Sequence, residues 1–214
     1  MESTPAPSAE LRAGFGEIDI YLFDQLLRGR FDARRRVLDA GCGAGRNLPY
    51  FLARGFEIYA IDEDPAAVAA VRRLAARLAP SLPPDHIRQG VLHALPWHDG
   101  RMDALVCSAV LHFARDRAHF ERTVDELWRV LAPGGLFFAR LASSIGIEAH
   151  LSATVGRVRL PDGSERFVVD EQLLLDTTNG LRATLADPIK TTNVQGQRCM
   201  TTWVLEKPRS TRIP

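Results

Sequence analysis

Short apolar runs alternate with amphipathic segments along most of the chain. Strands are predicted from these runs at residues 37–39, 57–62, 86–91, 102–108 and 136–141. Between them, apolar residues recur at helical spacing, as at Val68, Val71 and Leu74. This alternation predicts a parallel sheet with right-handed crossovers and helices on both faces, which is the doubly wound α/β class.

The segments outside this core predict a lid at one end and a small insertion near the other. An amphipathic helix is predicted over 15–28, after a disordered tail over 1–12. The turn Pro161-Asp162-Gly163-Ser164 predicts a hairpin over about 155–168. The predicted segments that follow are a helix over 170–178, strands over 183–194 and 197–206, and a flexible tail over 208–214. Residues 13–207 are therefore predicted to form a single domain.

Composition and charge narrow the functional classes. With 214 residues, 46% of them hydrophobic, the chain can bury one α/β core. The 27 basic and 26 acidic residues give a net charge of +1, so no global field favours a nucleic acid or a membrane surface as partner. No apolar run approaches the roughly 20 residues that span a bilayer. The three cysteines form no C-x-x-C pair and the N-terminus lacks a secretory pattern, which predicts a cytoplasmic protein.

The strongest chemical signal is a glycine turn followed by an acid. The first predicted strand ends at Asp39 and leads into Gly41, Gly43 and Gly45. Glycine permits positive φ and lets a ligand come close to the backbone. Asp62 ends the second predicted strand, at the interval of about twenty residues where α/β nucleotide folds place an acid on the ribose hydroxyls. The pattern predicts a nucleoside-bearing cofactor.

The spacing of the glycines separates two kinds of cofactor. A dinucleotide fingerprint needs its third glycine at the position that Arg46 occupies here. An NAD-linked oxidoreductase is therefore disfavoured, and competition between labelled cofactors would separate it from the other interpretations.

The run Asp39-x-Gly41-x-Gly43-x-Gly45 resembles motif I of the class I S-adenosylmethionine-dependent methyltransferases. Further segments that resemble this family, in the same order, are Leu95-Pro96-Trp97, residues 103–108, Val110-Leu111-His112 and residues 131–135. The resemblance covers about residues 15–207. It implies a Rossmann-like, seven-stranded, mostly parallel sheet with a C-terminal antiparallel strand. Arg46-Asn47 is similar to the small-molecule and tellurite-resistance-like bacterial branch of the family.

The resemblance implies S-adenosylmethionine as cofactor, S-adenosylhomocysteine as product, and a set of cofactor contacts. The implied contact residues are Asp39, Gly41, Cys42, Gly43, Gly45, Arg46, Asn47, Asp62, Glu63, Leu92, Ser108 and Ala109. One position departs from the family, because Val91 stands where many relatives carry an acid that contacts the adenine amino group. The backbone amide of Leu92 and apolar packing are then expected to hold the adenine.

Candidate substrate and catalytic residues lie after the later strands and in the predicted lid. Arg140 lies at the C-terminal end of the fifth predicted strand, where ligands bind in open α/β sheets, and it either holds an anionic substrate group or pairs with an acid for structure. Lys190 and Arg198 could complete an anion clamp or lie on a solvated strand face. His112 is either a general base or a packing residue. The N-terminal helix either packs on the core or supplies a lid, for which the candidates are Asp19, Tyr21 and Phe23. Of these, Tyr21 is the strongest candidate to contact the cofactor carboxylate or the substrate.

These features together predict a methyltransferase that acts on a small molecule by in-line displacement, and the molecule carries an anionic group if Arg140 binds it rather than pairing with an acid. The alternative is a non-catalytic S-adenosylmethionine-binding sensor or partner subunit, although motif I is undamaged. The remaining histidines have no metal-ligand spacing, so no metal is predicted. The expected state is a monomer or homodimer, and the acceptor atom stays open.

Overall fold

The computed structural model describes residues 7–209 and divides into two compact units. The first unit is Met1–Val91 and the second is Leu92–Pro214, and each is described by itself. Of the tails predicted over 1–12 and 208–214, residues 1–6 and 210–214 lie outside the described residues. No helix between residues 7 and 209 combines the length and the apolar character needed to cross a membrane.

The first unit is a three-stranded parallel sheet in the order β3-β2-β1. Its strands are β1 (Arg36–Ala40), β2 (Glu57–Asp62) and β3 (Ile87–Gln89), and its helices are α1 (Pro7–Phe15), α2 (Ile20–Leu27), α3 (Pro49–Ala53) and α4 (Pro65–Leu78). Helix α4 packs against β2 and β3 and begins at the predicted cap, where the Asp64 carboxylate accepts the Ala66 N–H at 2.8 Å. The βα alternation therefore forms as predicted in this unit.

The N-terminal region corrects two predictions. Residues 7–12 are helical in α1 rather than a disordered tail, because Ala9, Glu10 and Leu11 favour a helix and Phe15 stacks on Tyr50 at 5.3 Å. The predicted helix over 15–28 begins only at Ile20. Gly16 breaks it with a φ of +65°, and the Asp19 carboxylate caps α2 by accepting the Tyr21 N–H at 3.0 Å.

The second unit combines parallel and antiparallel pairing. Its elements are β4 (Met102–Ser108), α5 (Arg117–Val130), β5 (Leu131–Ser143), β6 (Gly156–Arg159), β7 (Glu165–Val168), α6 (Glu171–Gly180), β8 (Thr184–Leu185), β9 (Lys190–Val194) and β10 (Arg198–Glu206). Strands β4 and β5 are parallel, whereas β10 is antiparallel to β5, β8 and β9. Strands β6 and β7 form an antiparallel hairpin where the turn signal predicts one. The mostly parallel α/β class with antiparallel strands at its C-terminal end is confirmed.

Two strand boundaries in this unit differ from the predictions. Strand β5 begins at Leu131 rather than at 136, because the Gly134 N–H donates to Lys207 O and the Lys207 N–H donates to Gly135 O, which extends the pairing through the glycine turn. The single strand predicted over 183–194 is two strands, β8 and β9. Pro188 lies between them and lacks the N–H that a continuous ladder needs.

One face of β10 carries a chain of hydrogen-bonded hydroxyl groups. Thr201 is fully buried and donates to Ser143 Oγ at 2.6 Å. Its own oxygen lies 2.7 Å from Thr191 Oγ1, so Thr191 is the donor in that bond. Three strands are thus joined by side-chain hydrogen bonds inside the core, where an unpaired hydroxyl is costly.

We expect Thr201→Val to lower the free energy of unfolding by about 1–3 kcal/mol, because it leaves the hydroxyl groups of Ser143 and Thr191 without their shared partner. Urea denaturation of the two proteins measures this loss. The exposed strand residue Thr184 provides the matched control, since Thr184→Val breaks no buried pair. Equal losses in the two variants would show that the hydroxyl chain contributes nothing specific.

Candidate active site

The glycine turn after β1 adopts the backbone that its glycines permit. Gly41, Gly43 and Gly45 have φ values of +73°, +51° and +82°. The N–H groups of Gly41 and Cys42 both donate to Ile61 O, at 2.8 and 3.1 Å. The turn is therefore fastened to the end of β2, and the two segments that the sequence singled out are brought together.

Asp62 fixes the turn from the opposite side. One carboxylate oxygen accepts the Gly43 N–H at 2.8 Å, and the other accepts the Asp64 N–H at 3.0 Å. Each carboxylate oxygen has two lone pairs, so both can accept one further hydrogen bond from a ligand. The acid at the end of β2 thus orients the turn and keeps acceptor capacity for hydroxyl groups.

The second and third glycines are required for different reasons. A Cβ at Gly43 would meet nothing within 4 Å, so this backbone borders open space. A Cβ at Gly45 would lie 3.1 Å from the side chains of both Val71 and Leu74 on α4. Gly45 therefore serves helix packing, whereas Gly43 leaves room for a ligand to reach the backbone.

Asp39 is a buried acid with an unsatisfied oxygen. It is 2% exposed, and its Oδ2 has no hydrogen-bond partner among the described residues. Burial raises its pKa to about 7, helped by the nearby negative charge of Asp62 and opposed by the positive charge of Arg46. Such a group is suited to pair with a positively charged donor that a ligand brings. Burial also raises the pKa of the Cys42 thiol, which keeps it protonated and disfavours it as a nucleophile.

The end of the glycine turn is bonded to the residue that caps α2. The Asp19 N–H donates to Asn47 Oδ1 at 3.0 Å, and Arg46 Nη2 lies 3.4 Å from Asp19 Oδ2. Asp19 is 3% exposed and caps α2 as well. This acid was predicted to line a lid, and in the structure it links the start of α2, which carries Tyr21, to the turn.

Polar residues of the second unit align across four neighbouring strands. Ser108, the last residue of β4, is in register with Arg140 on β5. Arg140 is in register with Thr202 on β10, and Thr202 with Lys190 on β9. Residues in register on adjacent strands present their side chains on the same face of a sheet. We call this set the polar row; Thr202 is the member that sequence reasoning missed.

Four other predicted residues bend the backbone, lie at or near the surface, or form a surface ion pair. Ala109 has a φ of +64° and donates its N–H to Arg140 O at 2.7 Å, so it bends the chain directly after β4. Leu92 is half-buried, and Glu63 is exposed. Arg198 Nη1 lies 3.3 Å from the Asp162 carboxylate, four positions along β10 from Thr202. A surface ion pair accounts for Arg198.

His112 is a buried, neutral imidazole. It is 6% exposed, its ring packs edge-on against Phe113 at 4.6 Å, and its Nδ1 has no partner within the described part of the chain. Burial, reinforced by the positive charge of Arg166, lowers its pKa to about 4. Between residues 7 and 209 no cluster of three or more His, Cys, Asp or Glu side chains is arranged to hold a metal ion.

A family model described as a methyltransferase domain matches residues 38–139. The match contains the glycine turn, Asp62, Ser108 and His112. It ends before the other three members of the polar row, Arg140, Lys190 and Thr202.

Two curated relatives are similar to the chain over different lengths. A probable S-adenosylmethionine-dependent methyltransferase of Mycolicibacterium smegmatis is 35% identical over 113 residues, which are 53% of this chain and 40% of that protein. The demethylmenaquinone methyltransferase of Thermus thermophilus is 37% identical over 165 residues, 66% of this chain and 71% of that protein. The chain therefore spans less than half of the first relative and more than two thirds of the second.

A solved structure shows the same fold over nearly the whole chain. The 1,6-didemethyltoxoflavin-N1-methyltransferase of Burkholderia thailandensis superposes with a TM-score of 0.61 at 19% identity, covering 97% of this chain and 93% of that one. That structure contains 1,6-didemethyltoxoflavin and S-adenosylhomocysteine. The Rossmann-like fold is thereby shown for this chain.

We expect Gly45→Ala to lower the free energy of unfolding by about 2–4 kcal/mol, because the new methyl group meets α4 and the residue keeps a positive φ. Gly43→Ala should lower the free energy of unfolding by only about 1–2 kcal/mol, the cost of placing an alanine at a positive φ. Gly55 has a φ of +69°, and a Cβ there would meet nothing within 4 Å. Gly55→Ala therefore measures the cost of the positive φ alone. Equal losses for Gly45→Ala and Gly55→Ala in urea denaturation would contradict the packing role.

Proposed function

The chain belongs to the class I S-adenosylmethionine-dependent methyltransferase family, and we propose that it transfers a methyl group from S-adenosylmethionine to a small-molecule acceptor. The observation that carries this proposal is the unsatisfied, buried Asp39 beside a glycine turn that borders open space at Gly43. Membership of the family supplies the reaction type. The geometry supplies a place for this particular cofactor.

The residues present fit the two polar ends of the cofactor. Asp39 Oδ2 would accept a hydrogen bond from the ammonium group of the methionine part, which gives the buried carboxylate the cation it lacks. Asp62 would accept the ribose hydroxyl groups on its remaining lone pairs while it still holds Gly43. The backbone at Gly43 would lie against the cofactor.

Arg46 supports this cofactor over a dinucleotide. The position where a dinucleotide turn has its third glycine carries a guanidinium paired with Asp19 at 3.4 Å. The residue therefore helps to join the turn to α2 instead of allowing close packing around a pyrophosphate. The other predicted contacts in the first unit, Cys42 and Asn47, are buried at 5% and 4% exposure, so they would act mainly by shaping the turn.

When bound, S-adenosylmethionine supplies a sulfonium methyl group that the acceptor displaces in line, leaving S-adenosylhomocysteine. The chain's contribution is to orient the reactants and to exclude water, since the displacement removes the sulfonium charge. His112 stays neutral near pH 7 because its pKa is about 4, which makes it a weak proton acceptor there. We propose that it shapes the site by contact. The acceptor's own acidity then decides whether a proton must leave.

A small-molecule acceptor agrees with the net charge of the chain and with the ligand of the Burkholderia enzyme that shares its fold. The net charge of +1 provides no general attraction to a nucleic-acid backbone. The Burkholderia enzyme shows that a chain of this fold accommodates a small heterocycle. We propose that this chain likewise acts on a small molecule, in solution, as a monomer or homodimer.

We expect Asp39→Asn to weaken S-adenosylhomocysteine binding about 10- to 100-fold at pH 8, because the amide cannot pair its charge with the ligand ammonium. In the wild type, affinity should fall below pH 7, where Asp39 gains a proton; in Asp39→Asn it should be independent of pH. Calorimetric titration at pH 6, 7 and 8 tests both statements. Asp85→Asn is the matched control, since the Asp85 side chain is 72% exposed.

Asp39→Asn should raise the free energy of unfolding at pH 8, although it weakens ligand binding. The folded-state pKa of Asp39 is about 7, above its ordinary value of 3.8, so the wild type loses stability as pH rises from about 4 to about 7. Asp39→Asn lacks this loss and should be more stable than the wild type at pH 8, by on the order of 1–4 kcal/mol. Weakened binding together with weakened folding would mean that Asp39 serves structure alone.

Turnover separates an enzyme from a non-catalytic binder. With methyl-labelled S-adenosylmethionine and a pool of small phenols, amines, thiols and carboxylates, we expect acceptor-dependent formation of S-adenosylhomocysteine. His112→Asn should lower the rate less than about tenfold and leave the pH profile unchanged between pH 5.5 and 9. Cofactor binding without any turnover would favour a non-catalytic sensor. If the wild-type rate falls below about pH 6–7 and the rate of His112→Asn does not, His112 is the general base.

A further inference from the structure

We propose that Arg140, Thr202 and Lys190 bind a carboxylate or phosphate group of the methyl acceptor. The inference rests on the proposed function, because it names the substrate class of the same enzyme. Three observations carry it: the register that aligns these residues, the unsatisfied hydroxyl at the centre of the three, and the register of Arg140 with Ser108, the last residue of the parallel strand β4.

The register places two cations on either side of one hydroxyl group. Thr202 on β10 is directly opposite Arg140 on β5 and directly opposite Lys190 on β9. Neighbouring strands lie about 4.8 Å apart, so the backbones of the two basic residues are about 10 Å apart with Thr202 between them. Both side chains are long enough to converge on an anion held over the central strand.

The second observation is that the buried hydroxyl of Thr202 lacks a hydrogen-bond partner among the described residues. The residue is 4% exposed, and its Oγ1 is buried without a hydrogen-bond partner in the part of the chain that the structure describes. Its neighbour Thr201, on the opposite face of the same strand, is paired with both Thr191 and Ser143. The Thr201 hydroxyl is thus paired on one face of β10, whereas the Thr202 hydroxyl on the other face, between two cations, can donate to an oxyanion.

The row also lies where substrates are expected. Ser108, which is in register with Arg140, ends β4, and in open α/β sheets ligands bind beyond the carboxyl ends of the parallel strands. The three proposed residues fall outside residues 38–139, the part that the methyltransferase family model matches. The matched residues therefore assign no role to these three.

Arg198 is left out of the proposed site. It was expected to belong to the same clamp, but its guanidinium pairs with Asp162 at 3.3 Å. Because it lies on the same strand as Thr202 and carries the same charge as Arg140, it is the matched control for a nonspecific effect of lost positive charge.

The test is a titration of the S-adenosylhomocysteine-loaded protein with benzoate, its neutral counterpart benzamide, and inorganic phosphate. We expect benzoate or phosphate to bind and benzamide not to bind; the preferred anion identifies the group that the acceptor carries. Lys190→Met and Arg140→Gln should each weaken anion binding about tenfold or more. Arg198→Gln should leave it unchanged.

Thr202→Val separates binding from structure. The substitution should weaken anion binding about three- to tenfold without lowering Tm, because it removes a hydroxyl that has no partner among the described residues of the free protein. A lower Tm with unchanged anion affinity would overturn the role of Thr202. The proposal as a whole is overturned if neither anion binds, if benzamide binds as well as benzoate, or if Arg198→Gln matches Lys190→Met.

Failure of this inference is distinguishable from failure of the proposed function. Affinity for S-adenosylhomocysteine is measured first for each variant and should equal that of the wild type. If the nucleoside does not bind, the methyltransferase proposal fails, and the same anion titration without it still tests the polar row. If the nucleoside binds and the anions do not, only the present inference fails.

Discussion

The hydrogen bond from the Gly43 N–H to the Asp62 carboxylate is the constraint on which the candidate cofactor site depends. Together with the two N–H groups that donate to Ile61 O, it fastens the turn after β1 to the end of β2. The bond is possible only because three glycines accept positive φ within five positions, and because β1 and β2 are parallel neighbours whose carboxyl ends meet. Strand pairing and turn chemistry therefore create the site jointly.

The same arrangement has an energetic cost that points to a ligand. Asp39 is held in the interior, close to the charge of Asp62, and one of its oxygens has no partner among the described residues. Groups of this kind persist at functional sites because a bound molecule satisfies them. Thr202 in the second unit follows the same logic on a smaller scale, as a buried hydroxyl between Arg140 and Lys190.

Sequence reasoning succeeded where local chemistry decides the structure. The bounds of β2 and β4 and the Asp64 cap follow from apolar runs and turn residues, and the structure confirms them. It failed for α1, most of which is predicted to be a tail, because that prediction gives no weight to the helix propensity of Ala9 and Leu11 and because the packing of Phe15 on Tyr50 is a tertiary contact. Thr202 could not be found from the sequence because its importance comes from strand register, which sets it opposite Lys190 on the adjacent strand β9 and opposite Arg140 on β5, far earlier in the chain.

The cofactor preference of the glycine turn is measured by calorimetric titration of the purified protein with S-adenosylmethionine, S-adenosylhomocysteine and NAD under identical conditions. We expect both sulfur nucleosides to bind and NAD not to bind, because the buried Asp39 oxygen without a partner among the described residues suits an ammonium group and the turn has Arg46 where a dinucleotide requires glycine. Binding of NAD alone, or of none of the three, would contradict this expectation and would mean that the glycine turn serves another ligand.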